Sequence, residues 1–335
     1  MPIKGGKTGI SRFMERQMAA GSKKVIYAAL IGNGLIAITK FVAASITGSS
    51  AMLSEGIHSL VDTGNQGLLL YGLRRASKRA DDQHPFGYGA ELYFWAFVVA
   101  ILIFAVGSGI SLYEGIHKVL DPHPVTNPSI NYIVLSLAIV FESVAWWIAF
   151  KEFAKTKGSR GWLEAVRASK DPSIFTVLFE DSAAMLGLIV AFAGIAGAQY
   201  WGIAELDGVA SIAIGVILAL TAALLAYETK GLLIGEAAAP EVVEAVHGIL
   251  TDTTEINRVN EVRTLHRGPN DVLLTMSLDF ADDLTARRVK DLVHDLEKDI
   301  KGKFPLVKRI FIEVQHAADH AEEVAKADEA RRKEI

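Results

Sequence analysis

The sequence predicts an α-helical membrane protein that ends in a small soluble α+β domain. Three observations predict this fold class: six apolar stretches of membrane-spanning length, basic residues that alternate between the connecting loops, and a change to polar, mixed α/β patterning near Gly235. The 335-residue chain is 51% hydrophobic and 21% charged, whereas soluble domains carry about 25% charged residues. The composition excludes disordered and collagen-like chains and argues against a soluble enzyme.

Six apolar stretches have the length that a bilayer requires. At about 1.5 Å rise per residue, about 20 to 25 residues cover a hydrocarbon core of about 30 Å, and backbone groups in lipid must bond within their own segment. Each stretch is therefore predicted to be a transmembrane helix. In chain order they are Val25–Ile46, Ala51–Leu73, Leu92–Ile116, Ile130–Phe150, Ile174–Ala198 and Gly208–Tyr227.

Basic residues predict the orientation of these helices. Lys and Arg cluster in the N-terminal arm and in the loops that follow the second and fourth stretches. The other three loops, Thr47–Ser50, Lys118–Ser129 and Gln199–Asp207, contain one Lys and no Arg. The positive-inside rule then places both termini in the cytoplasm. The N-terminal arm is polar before the first apolar stretch, which predicts no cleavable signal peptide.

The chain after Gly235 is patterned as a compact soluble domain. Alternation in one segment places Val272, Leu274, Met276 and Leu278 on one face of a strand. The pattern predicts an αββαβ, ferredoxin-like domain in which one sheet face packs against two helices. The predicted elements are Glu241–Leu250, Glu261–Leu265, Val272–Phe280, Leu284–Lys303 and Arg309–Gln315, with Asp282 and Asp283 as helix caps.

These patterns divide the chain into four segments. Residues 1–24 form a cytoplasmic arm, 25–234 the six-helix transmembrane domain, 235–316 the cytoplasmic αββαβ domain, and 317–335 a charged tail that is helical or disordered. The division predicts that the membrane-spanning helices and the soluble sheet belong to two separate domains of the chain.

Composition and motifs exclude several classes of partner. The formal net charge of −4 gives no support for nucleic-acid binding. The absence of cysteine excludes disulfides, iron–sulfur clusters, thiolate metal sites and cysteine nucleophiles. No GxxxxGK[ST] segment is present, so no nucleotide partner is expected. No prosthetic group is expected either, and any metal must bind His, Asp, Glu, amide or carbonyl groups.

Ionisable residues inside predicted membrane helices indicate a metal or proton pathway. Such a residue costs several kcal/mol on insertion scales, so function or a specific partner is its default interpretation. His58 and Asp62 are four residues apart and share one helical face. Asp62 lies roughly 16 Å, and Asp181 roughly 10 to 14 Å, from the cytoplasmic end of its helix. Together they can hold Zn²⁺, or a harder ion such as Mn²⁺ or Fe²⁺.

Other polar residues at membrane depth leave alternatives open. Glu180 stands beside Asp181, and Glu142 is either a pathway residue or the partner of a group such as Asn33. Lys40 is expected to extend its ammonium group to the interface or to pair locally. A lone intramembrane histidine is more often a packing residue than a ligand, but the His-x-x-x-Asp pair and the second acidic helix favour a pathway.

Two segments carry a resemblance to a known family. Ser54–Asp62 resembles the second-helix metal motif of the cation diffusion facilitator family, and Asp81–Gly89 with Glu91 resembles that family's signature between its second and third helices. The resemblance covers most of the chain and implies a divalent-metal/proton antiporter that forms a homodimer. By position it implies His58, Asp62 and Asp181 as ligands of the transported ion.

The departures from the family pattern are informative. The family usually has a second His/Asp-x-x-x-Asp pair on the fifth helix, but Val177 stands four residues before Asp181. The Glu180–Asp181 arrangement, with Asn65 after Asp62, is similar to the branch that includes a mitochondrial zinc exporter of animals. Glu180 is included as a fourth ligand, and Asn65 and Glu142 as pathway residues.

A second ion site is implied in the loop. Some family members bind an ion there through an Asp and two His residues, and Asp81 and His84 match this pattern. Tyr88 stands where the second His would be, which argues against a functional loop site. Histidines of the soluble domain, namely His247, His266, His294 and His316, have no ligand spacing and are expected on the surface.

The resemblance implies secondary active export of a divalent cation, Zn²⁺ first and Mn²⁺, Fe²⁺ or Co²⁺ as alternatives, in exchange for protons. The protein is then not an enzyme, and its partners are the bilayer, metal ions, protons and a second copy of the chain. A bacterial plasma (inner) membrane is the expected location. An intramembrane metal-dependent hydrolase and a passive divalent-cation channel are the alternatives.

Overall fold

The computed structural model describes residues 30, 33–157 and 161–334. The predicted N-terminal arm and the start of the first predicted span lie outside these residues. The helices are α1 (Asn33–Thr47), α2 (Ser50–Ala76), α3 (Glu91–Leu120), α4 (Pro128–Lys157), α5 (Trp162–Ala168), α6 (Pro172–Trp201), α7 (Glu205–Ile234), α8 (Pro240–Thr251), α9 (Ala286–Lys303) and α10 (Ala317–Glu334). The strands are β1 (Ile256–Gly268), β2 (Asp271–Phe280) and β3 (Val307–Val314).

The chain forms two compact units. The first contains the described residues of 1–71, 95–158 and 173–226, and the second those of 72–94, 159–172 and 227–335. The first unit is therefore helical, whereas the second combines helix ends and loops with the three strands.

Four helices, α3, α4, α6 and α7, are long and apolar enough to cross a membrane. They confirm four of the six predicted spans, and all four extend beyond the predicted bounds. Helix α2 has 27 residues but carries the polar residues discussed above, which reduce its apolarity. The described part of α1 is shorter than a full span, so α1 and α2 remain predictions as membrane helices.

Two local features of the helices were not predicted. Residues Ile103–Ser108 form a π-helical segment in the middle of α3, a rare conformation that is found mostly inside α-helices. A short helix, α5, occupies the loop before α6, where Glu164 lies at the third helical position and its carboxylate accepts a hydrogen bond from the Gly161 N–H at 3.3 Å.

A buried carboxylate caps the start of α2. Asp207 on α7 is fully buried, and it accepts hydrogen bonds from the Ser49 hydroxyl at 2.6 Å and the Ser50 N–H at 2.7 Å. The first N–H groups of a helix lack partners within the helix, and a carboxylate there satisfies them. Asp207 therefore ties the first turn of α2 to α7.

The soluble domain has the predicted αββαβ order. Its sheet has the order β1-β2-β3, with β1 antiparallel and β3 parallel to β2. The predicted inner face of β2 is confirmed, since Val272, Leu274, Met276 and Leu278 are all buried in one core with residues of α8 and α9. Burial of this apolar face is the main stabilisation of the domain.

Details of this domain differ from the predictions. Strand β1 is longer than predicted at both ends, because its edges continue to pair with β2 past the apolar positions. The cap of α9 is Thr285, whose hydroxyl accepts from the Arg288 N–H at 3.3 Å, and not Asp282 or Asp283. The charged tail is helical through Glu334.

One of the predicted surface histidines is buried. His266 on β1 is 6% exposed, and its Nδ1 lies 3.1 Å from the carbonyl oxygen of Gly268. Burial lowers the pKa of this imidazole, because the charged form would lose its hydration. The prediction for His266 was wrong because the pattern of apolar residues does not show which polar residues of a strand are covered by a neighbouring turn. His247, His294 and His316 are exposed as expected.

Within the second unit, the loop between α2 and α3 packs on the sheet. The centre of the Phe86 ring lies 4.7 Å from the guanidinium carbon of Arg267 and 5.1 Å from that of Arg309. Arg309 also donates a hydrogen bond to the Pro85 carbonyl at 3.1 Å. Gly89 approaches the backbone of β1 so closely that a Cβ there would lie 2.3 Å from the Arg267 carbonyl oxygen.

Gly89→Ala is therefore expected to displace the loop from the sheet. Overpacking of this kind costs about 1 to 3 kcal/mol in folding free energy. The clash is with a backbone carbonyl oxygen, which cannot move aside as a side chain can. Limited proteolysis should cut the variant between residues 77 and 90 faster than the parent protein. The matched control is Gly248→Ala on α8, where a Cβ meets nothing within 4 Å and the change should slightly stabilise the helix. Equal cleavage rates for Gly89→Ala and the parent would contradict the prediction.

Candidate metal site

One face of α2 carries a stripe of polar side chains. Glu55, Ser59, Asp62 and Gln66 are spaced by four, three and four residues, which places them on the same side of a helix. Ser59 and Asp62 face a small cavity in the first unit, and Gln66 lines it as well. The stripe therefore directs α2 toward an interior polar site.

This cavity is surrounded by acidic side chains from three helices. Its volume of about 10 Å³ is the space of about one water molecule. Asp62 of α2, Glu142 of α4, and Glu180 and Asp181 of α6 contribute the carboxylates. Asn33 of α1 completes the lining with Ser59 and Gln66. The structure thus brings Asp62 and Asp181 to one space, together with Glu142 and Glu180.

His58 contacts Asp62 and is not among the residues that line the cavity. Its Nδ1 lies 3.3 Å from Asp62 Oδ1, and its side chain is 2% exposed. Both ring nitrogens and Asp62 Oδ1 are buried without a hydrogen-bond partner among the described residues. Buried polar atoms normally have partners, so these three atoms fit a site that binds a further cation or proton.

The acidic side chains around the cavity are too far from one another to bind one metal ion together. In the part of the chain that the structure describes, no three side chains of His, Asp or Glu are placed so that they could hold one metal ion. Coordination by several of them requires side-chain rotation into the cavity. Such a rotation is a change between staggered rotamers of Asp and Glu.

Glu180 forms a hydrogen bond with a residue of another helix, which the sequence did not predict. The Asn65 side-chain amide donates to Glu180 Oε1 at 2.7 Å, and both residues are buried. The two residues were predicted in different roles, one as a ligand and one as a pathway residue, and the structure joins them. The amide therefore orients one oxygen of Glu180, whose side chain also lines the cavity.

A buried ion pair borders the site. The Lys40 ammonium donates to Glu55 Oε2 at 2.9 Å and to the Ser59 hydroxyl at 2.8 Å. Both charged side chains are 0% exposed, so Lys40 pairs locally, one of the two outcomes expected for it. The other Glu55 oxygen, Oε1, lies 2.3 Å from the position that a Cβ would take at Gly187, so a larger residue there would have to displace this carboxylate. Ser59 therefore links this pair to the cavity.

Sequence reasoning missed Ser59 as a site residue, although a signal was present. The spacing of Glu55, Ser59, Asp62 and Gln66 follows a helical stripe, and serine in that stripe could have been assigned to the site. Asn33 was named only as a possible partner of Glu142, and the structure places both side chains at this cavity.

The predicted loop site is closed by a tyrosine. Asp81 accepts a hydrogen bond from the Tyr88 hydroxyl at 2.6 Å, and His84 Nδ1 lies 3.7 Å from the same carboxylate. The hydrogen bond from Tyr88 lowers the pKa of Asp81 and raises that of Tyr88. The rings of His84 and Tyr88 are 4.2 Å apart. The Tyr88 hydroxyl is thus bonded to the Asp81 carboxylate that a metal ion at this site would need as a ligand.

Tyr88→His is expected to create an ion site in this loop. An imidazole at this position removes the hydroxyl from Asp81 and adds a third ligand beside His84, a combination that suits Zn²⁺. Metal analysis of the purified variant after dialysis should show about one additional Zn²⁺ per protomer. Asp81→Asn in the same background serves as the control and should remove the gain. Binding of additional Zn²⁺ that persists in the control would place the ion elsewhere.

Comparisons with known families decide how this arrangement is classified. Residues 26–234 match the profile described as "Cation efflux transmembrane domain". This chain belongs to the cation efflux family. Residues 238–317 match the profile described as "Cation efflux protein, cytoplasmic domain", which is the dimerisation domain of the family. Cation efflux proteins are also called cation diffusion facilitators, so the family predicted from the motifs is confirmed.

Several cation efflux relatives are similar over most of the chain. The "Proton-coupled zinc antiporter SLC30A9, mitochondrial" of Homo sapiens is 32% identical over 262 residues, which are 78% of this chain and 46% of that protein. "Metal tolerance protein C4" of Arabidopsis thaliana is 26% identical over 77% of this chain and 57% of its own length. "Cation-efflux pump FieF" of Shigella flexneri is 26% identical over 81% of this chain and 85% of its own length. The chain thus spans about half the length of the mitochondrial relatives.

Proposed function

We propose that this protein exports a divalent metal cation from the cytoplasm in exchange for protons. The observation that carries the proposal is the cavity in the first unit, where Asp62, Glu142 and Asp181 surround a space that fits one ion. Carboxylates at membrane depth are costly and mark ion or proton pathways. The zinc antiporter and the cation-efflux pump among the relatives support the same activity.

His58, Asp62, Glu180 and Asp181 are the proposed ligands, and Zn²⁺ is the proposed substrate, with Mn²⁺, Fe²⁺ and Co²⁺ as further candidates. Binding draws the carboxylates inward around the ion, and the imidazole of His58 completes a mixed nitrogen and oxygen set. Glu142 and Asn65 act next to this set as pathway residues. Asn65 keeps Glu180 oriented through the amide hydrogen bond.

Proton coupling follows from the donor atoms. Imidazole nitrogens and carboxylate oxygens bind protons and metal ions through the same lone pairs, so the two compete for one site. Metal binds from the cytoplasm to the deprotonated groups, and protons from the opposite side displace it. Alternating access then requires helices to move around the site, as in other secondary transporters.

The proposed organisation places both termini in the cytoplasm and two copies of the chain in one transporter. Residues 1–24 form the arm, 25–234 the transmembrane domain, 235–316 the dimerisation domain and 317–335 the tail. The match to a cytoplasmic domain and the basic loops support this orientation. The bacterial plasma (inner) membrane is the proposed location.

Transport driven by a proton gradient tests the proposal. Purified protein is reconstituted in liposomes whose neutral lumen is loaded with Zn²⁺, the outer buffer is acidic or neutral, and a fluorescent zinc indicator in the outer buffer follows the release of metal. Saturable flux that follows the proton gradient and stops when an ionophore collapses it supports the antiporter. Flux that ignores the gradient and does not saturate indicates a channel. Absence of flux for Zn²⁺, Mn²⁺, Fe²⁺ and Co²⁺ rejects the proposal.

A further inference from the structure

The second unit contains a cavity that the transport site does not use. It lies between the α2–α3 loop and the soluble domain and has a volume of about 460 Å³, within the range of small-ligand sites. Its lining includes Lys78, Tyr88, Lys308 and Arg309, and the apolar Leu73 and Leu92. Cationic groups and apolar helix ends therefore meet in one concave surface.

The cations of this cavity lack acidic partners. Lys78, Lys308 and Arg309 form no salt bridge with any described residue, and neither does Arg267 next to them. Lys308 donates to the Pro305 carbonyl and Arg309 to the Pro85 carbonyl, so both have donors left over. A concentration of unpaired positive charge favours an anionic ligand.

Two of these groups are held in place before any ligand binds. The Arg309 guanidinium lies 5.1 Å from the centre of the Phe86 ring, with its direction set by the bond to Pro85. The Lys78 ammonium lies 5.7 Å from the centre of the Tyr88 ring. Ring contacts of this kind stabilise a cation and restrict its motion. A guanidinium held in this way presents its fork to a planar or tetrahedral oxyanion.

Acidic groups do not cancel this charge. Two acidic residues, Asp171 and Asp271, line the cavity together with the three cations, so the lining carries a net charge of one positive unit. Arg267, which lies over the Phe86 ring, adds a second positive charge nearby. The remaining nearby cation, Arg75, is paired with Glu91 at 2.6 Å and is not counted.

The location favours a lipid as the source of the anion. Leu73 belongs to the last turns of α2 and Leu92 to the first turn of α3, one of the helices apolar enough to cross a membrane. On the topology of the proposed function, the cavity therefore lies at the cytoplasmic surface of the membrane. Basic pockets at the cytoplasmic ends of membrane helices bind the headgroups of anionic lipids. We propose that this cavity binds a phosphate group, namely the phosphodiester of an anionic phospholipid.

Lipid binding to the full-length protein tests this proposal independently of transport. Protein purified in a neutral detergent is titrated with dioleoylphosphatidylglycerol or dioleoylphosphatidylcholine, and bound lipid is counted by native mass spectrometry. Phosphatidylglycerol should bind at least about tenfold more tightly, because each cation near an anionic surface contributes about 1 kcal/mol. The variant Lys78→Gln/Lys308→Gln should lose about thirtyfold in this affinity, because it removes two such cations. Both residues are exposed, so the protein should keep its fold.

The control variant is Lys290→Gln/Lys298→Gln, which removes the same charge from exposed positions of α9 away from the cavity. It should bind phosphatidylglycerol as the parent does. Displacement of the lipid by millimolar inorganic phosphate would show that the cavity binds a soluble anion, and it would overturn the assignment to a lipid. Equal affinity for the two lipids, or equal losses in the two variants, would overturn the proposal. Neither result depends on whether the protein moves metal.

Discussion

Asp62→Asn and Asp181→Asn are each expected to reduce metal transport at least about a hundredfold. Loss of a residue that only supports a ligand typically costs 10- to 100-fold in metal affinity, and loss of a charged ligand should cost more. Both carboxylates line the same one-ion space, and an amide of the same shape supplies neither the negative charge nor the proton site.

The measurement is metal flux in liposomes under a fixed proton gradient, together with Zn²⁺ affinity in detergent. Glu205→Gln is the matched control, because it makes the same acid-to-amide change in the first turn of α7, outside the cavity. It should transport as the parent does. Glu142→Gln should retain binding and lose part of the flux if this residue serves the pathway. Parent-like flux in both Asp variants would refute the proposed site.

Lys40→Met is expected to destabilise the first unit by about 3 to 5 kcal/mol, because removal of one partner leaves the Glu55 charge buried and unpaired. Both side chains are 0% exposed and 2.9 Å apart. The double variant Lys40→Met/Glu55→Met should recover most of that loss, since apolar side chains of similar volume can replace a buried pair at little cost.

Thermal unfolding in detergent measures this effect, and the double-mutant cycle isolates the interaction between the two residues. The control is Lys230→Met on α7, an exposed lysine, which should change stability by no more than about 0.5 kcal/mol. If Lys40→Met and the control unfold at the same temperature, the ammonium does not stabilise Glu55. If the double variant is no more stable than Lys40→Met, the loss comes from Ser59 or from packing.

Patterns along the chain predicted a large part of the fold. Apolar length identified α3, α4, α6 and α7, because lipid requires each helix to satisfy its own backbone. Two-residue alternation identified the buried face of β2, from Val272 to Leu278. Bounds were less accurate, since helix and strand ends depend on caps and pairing, as Thr285 at the start of α9 shows.

The candidate site was predicted in part. His58 and Asp62 are one helical turn apart, so their proximity follows from local geometry, and the structure places them 3.3 Å apart. That Asp62 and Asp181 share a cavity was a hypothesis about two helices, and the structure supports it. The pairing of Asn65 with Glu180 was not foreseen. For the loop, the sequence showed that Tyr88 replaces a histidine, and the structure adds the hydrogen bond from its hydroxyl to Asp81.

The sequence by itself determined the long apolar helices, the ionisable residues within them, and the family that the chain resembles, because each depends on short-range periodicity or on residue identity. Only the tertiary structure decided that α1 contributes Asn33, that Lys40 neutralises Glu55, and that four carboxylates surround a single small cavity. The physical reason is that contacts between helices depend on how their side chains interlock, and many arrangements satisfy the same hydrophobic pattern.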